Sequence, residues 1–176
     1  HSRTDFDLKQ HEEYSNKKLR YFDPESQESY VPFVLETSIG LDRMFLAVLS
    51  SSLREEKLED ESVRTVMSIP FALAPVKAAI LPLIKKDGLP EKAREVLAQL
   101  QLHHNVHYDE KDAIGRRYRR QDAIGTPLCI TVDHETLKDH AVTVRNRDTM
   151  KQERVPIAKL PHHVDEWVSM SSLFRA

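Results

Sequence analysis

Cysteine is almost absent: Cys129 is the single one in 176 residues. That excludes an internal disulfide and fits a reducing compartment. Cys129 sits in the apolar run Pro127-Leu128-Cys129-Ile130-Thr131-Val132, which predicts a buried structural thiol rather than a nucleophile. Long apolar runs are also missing. No stretch approaches the roughly 20 residues that span a bilayer, and the polar N-terminus carries no signal-peptide pattern. The expectation is a cytoplasmic protein with no membrane partner. Neither sign of charge dominates, since 26 Lys+Arg stand against 28 Asp+Glu for a net charge of −2. Nucleic-acid binding, if present, has to come from a local patch. Metal-ligand spacing is lacking as well. His103-His104 and His162-His163 are adjacent pairs that point apart on a strand, with no cysteine or Glu-x-x-His beside them. His134 and His140 fall in a predicted connection between strands, and Met44, Met67, Met150 and Met170 are scattered. No metal site, repeat or low-complexity segment is expected. The chain opens on His1 with a strand-like alternation starting at once, which predicts a piece excised from a longer chain.

What is present is one concentrated block of basic charge. Gly115-Arg116-Arg117-Tyr118-Arg119-Arg120-Gln121-Asp122-Ala123-Ile124-Gly125 gathers four arginines around a tyrosine. So many guanidinium groups are costly to bury, which predicts a surface facing water or an anion. The two glycines predict tight turns flanking a short helix. On that helix i, i+3, i+4 spacing puts Arg116, Arg119 and Arg120 on one face. Planar guanidinium groups around an aromatic ring suit phosphates and unstacked bases. A solvated, charged helix is the plain alternative.

Along the chain, residues 3–8 alternate as a strand with one polar face. Residues 9–30 are polar, with a turn at Asp23-Pro24. Residues 31–36 read as a buried strand, and Ser38-Ile39-Gly40 as a sharp turn. From Leu41 the pattern turns helical, with Leu41, Phe45, Val48 and Leu49 on one stripe and Asp42 complementing the helix dipole. The charged run 54–61 lacks apolar periodicity, which predicts a solvated loop or helix end, and a domain boundary is placed near 58–68. Strands and helices then alternate. A buried strand covers 76–83. A helix starts at Pro90, with Ala93, Val96, Leu97 and Leu100 facing inward. A short strand at 105–109 precedes the arginine block. Strands follow at 128–133, 141–147 and near Arg154-Val155. An amphipathic helix closes the chain through Leu160, Val164, Trp167, Val168 and Leu173. This order predicts an α/β domain with a mixed, mostly parallel sheet and flanking helices.

A second constellation is Glu36-Thr37-Ser38-Ile39-Gly40-Leu41-Asp42-Arg43, a strand-turn-helix junction. Glu36 and Ser38 are two apart and share a strand face. A buried carboxylate there would need a cation, and a small ammonium ligand would serve. Gly40 lets a ligand approach the backbone, and Arg43 lies in a first helical turn, where the dipole already favours anions. An ordinary helix start, with Glu36 paired to a structural arginine, remains open.

This segment resembles motif 3 of class II aminoacyl-tRNA synthetases in the form typical of the glycyl-tRNA synthetase family. Arg3-Thr4-Asp5-Phe6-Asp7-Leu8 with His11 resembles the same family, as do Leu73-Ala74-Pro75, Leu81-Pro82-Leu83, Ile114 to Asp122, Ile124-Gly-Thr-Pro127, Thr131-Val-Asp133 and Val142 to Asp148 with Gln152. The resemblance implies ATP-dependent ligation of glycine to tRNA(Gly) through glycyl-adenylate, with Mg2+-bound ATP and a homodimer in the full-length enzyme. It assigns Glu36, Thr37, Ser38, Ile39 and Gly40 to glycine. It assigns Gly40, Leu41, Asp42 and Arg43 to ATP, with catalytic Arg43 on the γ-phosphate. Residues 1–60 would be a strand-helix remnant of the antiparallel class II catalytic domain, and 66–176 the anticodon-binding domain. Arg116, Arg117, Tyr118, Arg119, Arg120, Asp122, Thr126, Arg145 and Arg147 would face tRNA. Ala123 departs from the family's usual glutamate. Motifs 1 and 2 lie outside the chain, so this piece alone is expected to be inactive, with no tightly bound ATP. A non-catalytic homologue, such as the accessory subunit of the mitochondrial DNA polymerase, is the competing reading. The intact Glu36, Ser38, Asp42 and Arg43 favour the enzyme.

Overall fold

The computed structural model describes residues 1–58 and 61–174. Residues 59 and 60, within the charged run and the expected boundary region, lie outside the described residues. The chain divides into two compact units, His1–Phe45 and Leu46–Ala176.

The first unit holds β1 (Ser2–Thr4), α1 (Phe6–Ser15), β2 (Tyr21–Asp23), β3 (Glu28–Tyr30) and β4 (Val34–Leu35). The strand expected over 3–8 is instead a strand, a turn and a helix. Thr4 takes φ 53, which breaks the extended chain. Asp5 then stands at the N-cap, and two ion pairs with helical spacing form, Arg3–Asp7 at 2.7 Å and Lys9–Asp5 at 2.5 Å. Lys9 of α1 pairs with the N-cap residue Asp5, Arg3 reaches Asp7 from β1, and these contacts outweigh a short alternation. The turn predicted at Asp23-Pro24 is present, and β2 and β3 form a hairpin around it, where the Asp23 carboxylate accepts from the Glu25 N–H and the Ser26 hydroxyl. β4 pairs only with β1, and Leu35 is 82% exposed, so the buried strand expected at 31–36 is short and open. Among the described residues of 1–45, none is fully buried. Helix α2 (Leu41–Ser52) starts where the pattern turns helical, with Leu41 and Phe45 exposed.

In the second unit, β5 (Leu53–Lys57) and β6 (Val63–Met67) make an antiparallel hairpin with Glu56 opposite Arg64. The charged run was expected as a loop or helix end. It pairs as a strand because its exposed positions keep their charges in water, while Arg64 finds Glu56 across the ladder at 2.6 Å. After a 3-10 turn at Phe71–Leu73 come β7 (Ala78–Pro82), α3 (Leu89–Leu100), β8 (Val106–Tyr108), α4 (Ile114–Ile124), β9 (Leu128–Val132), α5 (Thr136–Asp139), β10 (Ala141–Asn146), β11 (Gln152–Pro156) and α6 (Leu160–Val168). A 3-10 turn at Ile157–Lys159 leads into α6, and another follows at Met170–Phe174.

The sheet order is β11-β10-β9-β7-β8. β7 runs parallel to β8 and β9, while β10 and β11 are antiparallel additions. The expected mixed α/β sheet is present. β7 and β9 are buried at every residue, as parallel strands covered on both faces should be. The chain steps from β7 outward to β8, then back past β7 to β9. With right-handed crossovers, that reversal puts the two connecting helices on opposite faces. Ala78 and Ile80 accordingly pack with Leu89, Ala93, Val96 and Leu100 of α3 and with Leu160, Val164 and Val168 of α6. Ala79, Leu81 and Cys129 pack with Ile114 and Tyr118 of α4. Cys129 is the structural thiol expected, pushed up to about 12 by burial.

One buried charge cluster ties hairpin, helix and sheet together. Asp122 of α4 accepts from Arg64 of β6 at 3.1 Å and from both terminal nitrogens of Arg145 of β10, at 2.8 and 3.1 Å. Arg64 also donates to the Arg147 carbonyl at 3.0 Å. Gly125 ends α4 with φ +84, and a Cβ there would meet Ile69 Cγ2 at 3.0 Å and the Met67 carbonyl at 3.1 Å.

Asp122→Ala should lower stability by about 3–5 kcal/mol, since it leaves two buried guanidinium groups without their carboxylate; urea denaturation measures it. Gly125→Ala should cost about 1–3 kcal/mol from the left-handed backbone alone, with the clash added. It should cost more than Gly88→Ala, where φ is +76 but the space is open; the two denaturation midpoints decide the order.

Candidate nucleic-acid interface

The arginine block forms α4, as predicted, but Gly115 lies inside its first turn and only Gly125 makes a turn. The four arginines have separate environments. Arg117 is 2% exposed, against the expectation that the whole cluster faces solvent. Its guanidinium lies at the carboxyl ends of the parallel strands. Nη1 donates to Pro82 O at 2.6 Å and Asp109 O at 3.2 Å, and Nη2 donates to Leu83 O at 3.0 Å. Three carbonyls that the sheet leaves unpaired are satisfied there, which makes the buried charge tolerable. Burial pulls the Arg117 pKa down, and its Nε has no partner among the described residues.

Arg120 is exposed but neutralised. It binds Asp109 at 2.8 Å and Asp112 at 2.7 Å and donates to Lys111 O. These bonds raise its pKa. Arg119 is exposed and bonds only neutral acceptors, Val63 O and Ser62 Oγ, both at 3.0 Å. Arg116 is exposed, and its side chain makes no hydrogen bond or ion pair among the described residues. Thus two of the four charges, Arg116 and Arg119, have no carboxylate within ion-pair distance among the described residues. Together with Arg120, Ala123, Val63 and Thr65 they line a shallow groove of about 450 Å3.

Of the remaining residues assigned to tRNA by resemblance, Asp122, Thr126, Arg145 and Arg147 are buried and Tyr118 is half-buried. Asp122 and Arg145 belong to the buried charge cluster. Arg145 also lies 4.9 Å above the Tyr118 ring, and the Tyr118 hydroxyl shares a 2.7 Å hydrogen bond with Thr131. Burial raises the Tyr118 pKa. Thr126 is fully buried and donates to Gln121 Oε1 at 2.7 Å. Arg147 is 1% exposed, donates to Gly125 O and Ile69 O, grips Asp148 through two nitrogens and covers the Phe71 ring.

In the first unit, residues 36–43 are all exposed. The Glu36 carboxylate, expected on a buried strand face, is half exposed, with Arg3 3.9 Å away. The Gly40 carbonyl accepts from the Met44 N–H and starts α2, and the Arg43 stem lies 3.8 Å from the Gly40 Cβ position. Arg43 makes no ion pair among the described residues. Thr37, Ser38, Ile39, Leu41 and Asp42 line the same exposed junction.

The sequence reading passed over Arg64, Val63 and Thr65. A signal for Arg64 was available: Val63-Arg64-Thr65-Val66 alternates, and Arg64 shares the phase of buried Val66. No cluster of three or more His, Cys, Asp or Glu able to hold a metal occurs among the described residues. None of their helices is long and apolar enough to cross a membrane.

The Anticodon binding domain family matches residues 77–167. A glycine–tRNA ligase from Clostridium perfringens is 57% identical over 159 residues, covering 88% of this chain and 34% of the ligase. One from Geobacillus thermodenitrificans is 51% identical over 168 residues, covering 96% and 36%. The chain spans about a third of the length of these relatives. In structure it is similar to the RNA binding domain of threonyl-tRNA synthetase from Cryptosporidium parvum, with a TM-score of 0.51 and 24% identity, covering 56% of this chain and 25% of that one. A prolyl-tRNA synthetase from the same organism matches with a TM-score of 0.52 and 24% identity over 58% and 23%. These two likenesses bear on the fold alone. With more than half its residues inside the matched region, the chain belongs to the anticodon binding domain family, in the form carried by glycine–tRNA ligases.

Proposed function

We propose that this chain is the tRNA-binding portion of a cytoplasmic glycine–tRNA ligase, and that the outer face of α4 meets the anticodon region of tRNA(Gly). One observation carries the reading: Arg116 and Arg119 are exposed and lack any carboxylate partner, on a helix of an anticodon-binding domain. Uncompensated guanidinium groups on a rigid helix attract phosphates and stack on bases. Arg120 is the weaker candidate because Asp109 and Asp112 already hold it. Arg117, Asp122, Thr126, Arg145 and Arg147 support the interface from inside, and Tyr118 is the stacking partner of Arg145.

In the full-length ligase, a homodimer by resemblance, the exposed junction 36–43 would face glycine and Mg2+-bound ATP. Glu36 and Ser38 suit an ammonium group, with Thr37, Ile39 and Gly40 around them. Gly40, Leu41, Asp42 and Arg43 suit a polyphosphate, and unpaired Arg43 is the natural partner of its terminal charge. ATP would supply the activation energy for the glycine carboxylate when bound. The presence of Glu36, Ser38, Asp42 and Arg43 also favours a ligase over a non-catalytic homologue.

The test is binding of tRNA(Gly), and of the same tRNA with an altered anticodon, across a salt series. Discrimination by anticodon is expected, and equal affinity for both tRNAs would refute the reading. Arg116→Ala should weaken binding, reduce the log–log salt slope by about 1 and leave the Tm unchanged.

A further inference from the structure

The β5–β6 hairpin lies outside the region matched by the anticodon binding domain family, which begins at residue 77. It nevertheless shapes the one groove where the uncompensated arginines sit. β6 packs along α4 and is fastened to it from both sides. On the outside, Arg119 bonds the Val63 carbonyl and the Ser62 hydroxyl. Underneath, buried Arg64 reaches Asp122 of α4. At the far end, the missing Cβ of Gly125 lets the Met67 carbonyl come close. A two-stranded hairpin is marginal on its own, so these ties decide where it stands. Because they are hydrogen bonds with fixed directions, they set its register as well as its attachment.

The groove so formed has a small, uncharged floor of Val63, Thr65 and Ala123 and a rim of Arg116, Arg119 and Arg120. None of these lining residues is acidic. The Thr65 hydroxyl makes no hydrogen bond among the described residues, so it is available as a donor. Glu55 lies opposite Thr65 in the hairpin and is not part of the lining. Two guanidinium groups without carboxylates, a free hydroxyl and a shallow, open shape suit a phosphodiester of a chain passing across, rather than an enclosed small molecule.

We propose that hairpin and helix together form a phosphodiester-binding groove for the tRNA backbone, with Thr65, Arg116 and Arg119 as its ligating groups. The proposal rests on the tRNA-binding reading above and adds the hairpin as a working part of the interface.

The experiment measures affinity of the full 176-residue chain for a tRNA(Gly) transcript by fluorescence anisotropy over a salt series, with thermal melts of every variant. Thr65→Glu should weaken binding about tenfold and Thr65→Lys should tighten it and steepen the salt slope by about 1, both with the parent's Tm. Opposite shifts from one exposed position cannot come from loss of fold. If both Thr65 variants bind like the parent while Arg116→Ala weakens binding, the hairpin has no part in the interface and this proposal falls, although the tRNA reading stands. If the unsubstituted chain does not bind tRNA(Gly), the functional reading itself falls, and this proposal with it.

Discussion

A buried carboxylate shared by two buried guanidinium groups is the constraint on which the second unit depends. Taking Asp122, Arg64 and Arg145 out of water is expensive, and their attraction offsets that cost only when the geometry is tight and the other donors are satisfied. Here they are: the Arg64 Nη1 that meets Asp122 also donates to the Arg147 carbonyl, its Nε and Nη2 go to Glu56, and Arg145 meets Asp122 through two nitrogens. An apolar contact would also have attached the hairpin to α4, but it would have allowed sliding. A directional carboxylate fixes β6, α4 and β10 in a single arrangement. The exposed arginines inherit their positions from it.

The arginines consequently divide into two kinds of work. Inside, Arg117 closes the carbonyl ends of β7 and β8, Arg145 covers the Tyr118 ring and grips Asp122, and Arg147 covers the Phe71 ring and donates to the Gly125 and Ile69 carbonyls. Outside, Arg116 and Arg119 keep their charge uncompensated. Density of positive charge along the sequence did not separate the two kinds. Separation came from what each guanidinium could reach, from Asp109, 8 positions from Arg117, to Ile69, 78 positions from Arg147.

The second unit's elements were largely legible because their signals are local. Ala93, Val96 and Leu100 recur at helical spacing, Pro90 marks a first turn, and Leu128 to Val132 is a continuous apolar run. The failures share one cause. Residues 3–8, the charged strand β5 and buried Arg117 are decided by partners rather than by pattern. The Arg3–Asp7 and Lys9–Asp5 pairs, the Glu56–Arg64 pair, and the carbonyls of Pro82, Leu83 and Asp109 are those partners. For the candidate site, the helix and its exposed Arg116 and Arg119 were readable, whereas the hairpin wall of the groove was not. Only the fold brings Val63 and Thr65 beside residues more than 50 positions away.

The forked contacts of the inner arginines bear on how this sequence can drift. Arg64, Arg117, Arg145 and Arg147 each use at least two nitrogens of one planar group at once. A lysine carries the same charge on a single point and cannot span such a fork. The usual exchange between the two basic residues is therefore closed at these four positions. At Arg116 no internal fork has to be spanned, so a lysine there leaves the fold as it is. Two arginines adjacent in the chain, Arg116 and Arg117, thus sit under opposite rules of substitution, and the coding triplets for one are free to wander where those for the other are held.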